Sequence, residues 1–261
     1  MSDERDPMAW VRRATQARIG LGRAGRGLPT AAMLSFQLDH ARACDAVHGA
    51  LDAERLAAAL WAPALRVDSR AADRATYLTR PDLGRRLAPE GAATLEAACA
   101  GGYDLAILLA DGLSAAAVQA HGTALANRIV AALPDWRIAP PIIAHQARVA
   151  LGDEAGAALG AAMILVLIGE RPGLTSPDSL GVYLTAAPRV GRLDSERNCV
   201  SNIRPPHGLS YEAATDTLLW LMRQARLGGG TGVHLKDLRD PGSAPAALPD
   251  PRSREDDGRS H

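Results

Sequence analysis

Lysine is nearly missing from this sequence: Lys236 is the single one among twenty-nine basic residues, so almost all positive charge is arginine. With so much alanine beside it, this bias reads as coding preference, although guanidinium groups do suit bidentate contacts. Phenylalanine is as rare, with Phe36 alone, four tryptophans and four tyrosines. That leaves little material for the stacking platforms that single-stranded nucleic acids need. Net charge is missing too. Twenty-nine acidic residues cancel the basic ones, so no broad field draws the chain to nucleic acid or an anionic membrane. The cysteines Cys44, Cys99 and Cys199 are odd in number and widely spaced. They exclude a disulfide framework and a CxxC zinc pattern, and they suit a reducing compartment. The longest apolar run, "AALGAAMILVLIG" (157–169), is too short to span a bilayer, and the start "MSDERDPMAW" lacks the apolar centre of a signal peptide. These absences predict a soluble cytoplasmic protein.

What is present suits a globular core. The 261 residues are 47% hydrophobic and 22% charged, an ordinary balance for a soluble domain. Residues 1–100 read as a helical N-terminal region. "DHARACDAVHGALDAERLAAALW" is rich in helix formers, and a second segment is interrupted at Pro81 and Pro89 and stops at Gly101-Gly102. From 101 to 238 the pattern changes. Short apolar runs at 103–112, 137–145, 162–170 and 181–188 alternate with helical stretches such as "SAAAVQAHGTALANRIVAAL" and "DEAGAALGA". This alternation predicts an α/β fold with a mainly parallel sheet covered on both faces. "TSPDS" reads as a helix start with Ser176 as N-cap, and Ser210 caps a last helix that closes near Gly228. The Pro-rich, polar stretch 239–261 reads as a disordered tail.

In open α/β sheets ligands sit outside the carboxyl ends of the strands. Glu170, Asp111 and the loop Gln146 to Val149 fall at such ends. Other constellations carry less. "GLGRAG" (20–25) spells a dinucleotide fingerprint but follows no strand, so a tight turn is the better reading. His40, Cys44 and His48 recur every four residues and suit zinc chemically, yet no fourth ligand is evident, and packing or interface hydrogen bonding is preferred. Ser114 in "ADGLS" is not a GxSxG nucleophile. The Arg80, Asp82, Arg85 and Arg86 cluster is a solvated helix start or a subunit contact. Cys199 has no base assigned to it that would activate a thiolate. Composition and spacing therefore end at a ligand crevice without a self-contained catalytic site. A stand-alone nucleotide enzyme and a purely structural partner remain open at this point.

The segments "RIGLGRAGRGLPT", "DHARACDAVH", "YLTRPDLGRRL", "ADGLS", "ARVALGDEAGAALGA", "IGERPGLTSPDSLGVYLTAAPRVG", "ERNCVSNIRPPHGLSYEAA" and "GVHLKD" resemble, in this order, the small (light) subunit family of ethanolamine ammonia-lyase. The resemblance covers residues 10 to 238. It implies a Rossmann-like domain in a subunit of an adenosylcobalamin-dependent lyase, which converts ethanolamine to acetaldehyde and ammonia by radical chemistry. A large barrel subunit would hold the substrate, and this chain would close the cobalamin site. By matched position the resemblance assigns cobalamin contacts to Val149, Glu170 and Cys199, with no catalytic residue and no metal ligand on this chain. The DxHxxG pattern of base-off cobalamin domains is missing, so no cobalt ligand is expected here. Relatives in bacterial microcompartments can carry an extension ahead of the "GRAG" segment. Here that segment begins at residue 22 and what precedes it is not clearly amphipathic, which leaves plain cytoplasm as the expected location and a microcompartment as the alternative.

Overall fold

A computed structural model describes residues 8, 11–12, 15, 17–228 and 230–237; the tail expected at 239–261 lies outside the described residues. The chain runs through α1 (Thr30–His48), α2 (Ala53–Ala59), β1 (Leu65–Asp68), α3 (Arg74–Thr79), α4 (Pro89–Ala97) and β2 (Tyr103–Ala110). Then come α5 (Ala115–Ala117), which passes through a π turn at Val118–Gly122 into α6 (Thr123–Ala131), β3 (Ile142–His145), α7 (Leu151–Ala158) and β4 (Ala161–Gly169). The antiparallel β5 (Leu180–Ala186) and β6 (Asn198–Ile203) and the long α8 (Tyr211–Gly228) complete it. Short polar side chains start several helices by accepting an otherwise orphaned backbone N–H. Asp52 accepts from Arg55, Asp73 from Thr76, Ser114 from Ala117 and Ser210 from Ala213.

All six strands form one sheet, in the order β1-β3-β2-β4-β5-β6. The pairings β1·β3, β2·β3 and β2·β4 are parallel, while β4·β5 and β5·β6 are antiparallel. The α/β class expected from the sequence is present, but the sheet is mixed. The apolar run at 181–188 was expected to join a mainly parallel sheet, and it returns antiparallel along β4 instead. The physical reason lies in the loop before it. Antiparallel neighbours need only a short connection, whereas a parallel crossover needs a dozen or more residues and usually a helix. The "TSPDS" segment makes no helix: Gly173 and Ser176 exchange both backbone hydrogen bonds, at 3.1 Å each, in a tight turn.

Two strands were not read from the sequence. β1 is a four-residue edge strand within the first hundred residues, and it ties that region to the sheet through β3. β6 is mostly polar over "NCVSNI" and buries only Val200 and Ile203, three residues apart, so it carries no strict two-residue alternation.

The core divides by residue parity, because successive strand side chains point to opposite faces. On one face Leu105, Ile107, Leu109, Leu165 and Leu167 pack with Leu125 and Ile129 of α6 and Leu218 and Met222 of α8. On the other, Leu108, Ile164, Val166 and Ile168 pack with Leu95 of α4 and Leu151 and Ala155 of α7. β2 and β4 are thus buried on both sides, which is why they read as continuous apolar runs. Each fully buried Leu or Ile stabilises the fold by about 1.5–3 kcal/mol.

At their carboxyl ends β2 and β4 come very close. Gly112 sits at φ +55°, and a Cβ there would stand 2.3 Å from the Gly169 carbonyl oxygen. A Cβ on Gly169 would stand 2.0 Å from the Ser114 carbonyl oxygen. The Leu113 N–H donates to the Gly169 carbonyl at 2.9 Å. Gly169→Ala is therefore expected to force this junction apart and cost about 1–3 kcal/mol, the usual scale of overpacking; a urea midpoint equal to the parent's would contradict the tight approach.

Candidate ligand-binding crevice

The loop leaving β2 starts a helix on one face of the sheet, and the loop leaving β3 starts α7 on the other. Divergence of neighbouring loops opens a crevice beyond the strand ends. Here that crevice has a volume of ≈ 370 Å³, is partly open, and is lined by residues that include Gly112, Arg148, Val149, Glu170, Arg171 and Tyr183. Leu113 and Ile168 add apolar wall.

The floor is braced by one buried acid. Asp111 follows β2 and accepts backbone N–H groups of Gln146 at 2.8 Å and Ala147 at 3.1 Å. Burial pushes its carboxyl pKa up, against the opposing pull of those two N–H groups and of Arg74. Arg74 lies 3.8 Å from Asp111 and donates to the carbonyls of Gly112 at 2.8 Å and Val47 at 2.6 Å. Tyr77, fully buried, has the guanidinium groups of Arg74 and Arg148 each 4.7 Å from its ring centroid. Burial first, then the Asp111 charge, pushes the Tyr77 phenol up to about 12, so it stays protonated and donates to the Ala147 carbonyl at 3.3 Å.

Glu170 follows β4 directly. Its Oε2 accepts from the Ser179 hydroxyl at 2.5 Å and from the Asn202 N–H at 3.3 Å. Its Oε1 has no hydrogen-bond partner among the described residues. Gly181 makes room for this side chain, since a Cβ there would stand 2.9 Å from Oε1. The loop between Glu170 and β5 is pinned from several sides. Ser114 Oγ donates to the Pro177 carbonyl at 2.7 Å. His121, aimed by the π turn, lies 2.8 Å from the Tyr211 hydroxyl and 3.5 Å from Asp178. Arg204 donates to the Thr175 carbonyl at 3.3 Å.

Val149 and Glu170, both singled out from the sequence, line the same crevice. Cys199 does not line it. It sits one strand further out, opposite Tyr183 in the β5·β6 register, and Tyr183 is a wall residue. Cys199 is exposed over the whole residue, yet its thiol is crowded by surrounding protein. Desolvation pushes the thiol pKa up, the Glu170 charge adds to this, and the hydrogen bond with Tyr183 opposes it. A raised pKa means a protonated, weakly nucleophilic thiol near neutral pH.

Ser114 is fully buried and used as a cap and a loop clamp, not as a nucleophile. Cys44 Sγ lies 3.8 Å from His40 Nδ1 on an exposed helix, and no group of three or more His, Cys, Asp or Glu among the described residues is arranged to hold a metal ion. Arg80 and Asp82 pair with each other at 2.8 Å on the surface. "GLGRAG" forms turns with Gly20, Gly22 and Gly25 at positive φ. No helix among the described residues is long and apolar enough to cross a membrane. Tyr77, Arg171 and Tyr183 were not foreseen, whereas Arg148 falls within the loop Gln146 to Val149 that was placed at a strand end. Arg171 adjoins Glu170, and position beyond a strand end was the available signal. Tyr77 belongs to a helix far away in the chain and left no such signal.

These features define an α/β protein with a partly open crevice at the carboxyl ends of the parallel strands of a mixed sheet. The family model for the ethanolamine ammonia-lyase light chain matches residues 5–236. The ethanolamine ammonia-lyase small subunit of Azotobacter vinelandii is 53% identical over 240 residues, covering 89% of this chain and 88% of that one. The protein of the same name from Ralstonia nicotianae is 50% identical over 257 residues, covering 92% and 95%. The chain belongs to the ethanolamine ammonia-lyase small (light) subunit family.

With its thiol pKa raised, Cys199 is expected to react with iodoacetamide at pH 7.5 more slowly in the folded chain than in urea. Peptide mass spectrometry reads the two rates, and faster labelling in the folded state would contradict a protonated Cys199.

Proposed function

We propose that this chain closes and positions adenosylcobalamin at an interface with a catalytic large subunit of ethanolamine ammonia-lyase. The observation that carries this reading is Glu170. One carboxylate oxygen is fixed by Ser179 and Asn202, and the other has no hydrogen-bond partner among the described residues, in a crevice wall. A fixed carboxylate with spare acceptor capacity suits the N–H donors of corrin carboxamides, in charge-assisted hydrogen bonds. Val149, Leu113 and Ile168 offer apolar contact beside it. On this reading Cys199 reaches the cofactor's edge together with Tyr183, its neighbour across the β5·β6 pair.

Size supports a shared site. A corrin ring with its nucleotide tail is larger than a crevice of ≈ 370 Å³, so this chain supplies one wall and a partner the other. The parallel strands β1 to β4 then serve as a Rossmann-like frame that presents its carboxyl ends to the ligand. On this reading the chain gives cobalt no ligand, and the cofactor keeps its own base on the metal. The cofactor, when bound, supplies the radical chemistry. The chain's residues bind it, orient it and keep water from the reacting groups. Residence in the cytoplasm, or within a microcompartment, belongs to the same reading.

The test uses the complex of this chain with the large subunit. Glu170→Ala is expected to weaken adenosylcobalamin binding by about tenfold or more, the scale of losing a hydrogen bond to a charged group, while circular dichroism shows a folded chain. Unchanged affinity would favour a purely structural partner. Ethanolamine deamination should require both chains, and turnover by this chain alone would refute the division of labour.

A further inference from the structure

The crevice carries a charge that Glu170 does not balance. Its lining holds two guanidinium groups, Arg148 and Arg171, against one carboxylate. Neither arginine has an ion-pair partner among the described residues. Asp111, the buried acid beneath them, is already engaged by two backbone N–H groups and by Arg74. Its charge is committed to the floor.

Arg148 is held in place without being neutralised. Its backbone N–H donates to the Gly84 carbonyl at 2.8 Å, and Nη2 donates to the Tyr77 carbonyl at 3.1 Å. Its guanidinium lies 4.7 Å from the Tyr77 ring centroid, a cation–π contact that fixes the plane of the group. Nε is buried and has no hydrogen-bond partner among the described residues. A partly buried cation without a counter-charge is costly unless an anion completes it. Arg171 stands on the open side, next in sequence to Glu170, and exposed. A half-fixed and an exposed guanidinium in one crevice suit a tetrahedral oxyanion, because the planar fork matches two of its oxygens at once.

We propose that Arg148 and Arg171 form an anion subsite in this crevice, which takes a phosphodiester of the ligand while Glu170 takes amide N–H groups. The proposal rests on the cofactor reading for the identity of the ligand. Cobalamin offers both chemistries: carboxamides around the corrin and one phosphodiester in the nucleotide loop.

Adenosylcobinamide lacks the nucleotide loop and its phosphodiester, so it separates the two contacts. In the complex with the large subunit, Arg171→Gln and Arg148→Gln are each expected to weaken adenosylcobalamin binding about tenfold or more and to leave adenosylcobinamide binding unchanged. Glu170→Ala is expected to weaken both ligands. Arg171 makes no hydrogen bond or ion pair among the described residues, so its variant tests the idea even where Arg148→Gln disturbs Tyr77. Equal losses for the two ligands, or no loss for either, would overturn the subsite and leave the cofactor reading standing on Glu170. Should neither ligand bind the parent complex, the cofactor reading falls, and inorganic phosphate decides the subsite. Phosphorus NMR line broadening by the full chain that Arg171→Gln abolishes would support it; broadening equal in parent and variant would overturn it.

Discussion

The close approach of β2 and β4 at their carboxyl ends governs the rest of this structure. These two central strands are buried on both faces, and glycine at 112 and 169 lets their ends meet backbone to backbone. Because Leu113 donates to the Gly169 carbonyl, the β2 exit and the β4 exit become one rigid junction. Asp111 leaves it on one side and Glu170 on the other. The first ties down the loop after β3; the second is the acid in the crevice wall. Any side chain larger than hydrogen at the junction would separate the floor from the wall.

From that junction the charged groups sort into two kinds. Asp111, Arg74 and Tyr77 are engaged mainly by internal contacts that hold loops from α3, β2 and β3 in register, although Arg74 Nη2 is buried with no hydrogen-bond partner among the described residues. Glu170, Arg148 and Arg171 are only partly committed. Among the described residues, Glu170 keeps one oxygen without a hydrogen-bond partner, and the two arginines have no ion-pair partner. Low dielectric makes such unpaired groups expensive in an empty site and effective once a complementary ligand arrives. The crevice wall therefore carries charge of both signs.

Parts of this arrangement were legible in the residues alone. Runs such as "YDLAILLA" and "AMILVLIG" announce strands buried on both faces, since burial removes the polar alternation. Ser210 announced its cap through local chemistry. Glu170 stood out because an acid directly after such a run has few places to lie except at a strand's carboxyl end, and Val149 stood out on the resemblance and on its loop. "TSPDS" misled for a local reason too. Its residues suit a helix start and a turn equally, and the antiparallel return of β5 left room only for the turn. β1 was missed because four residues on an edge carry too short a pattern to separate from a helical neighbourhood.

The sequence by itself determined the α/β class, the doubly buried central strands and the presence of an acid at their end. These depend on periodicity and local backbone preference, which neighbours in the chain encode. Only the tertiary structure decided the mixed sheet, the convergence of Tyr77 and Arg148 across seventy-one positions, and the place of Cys199 beside Tyr183 on the next strand rather than in the crevice lining. Those outcomes depend on which strands pair and in which direction, a matter of long-range packing that no local stretch of residues records.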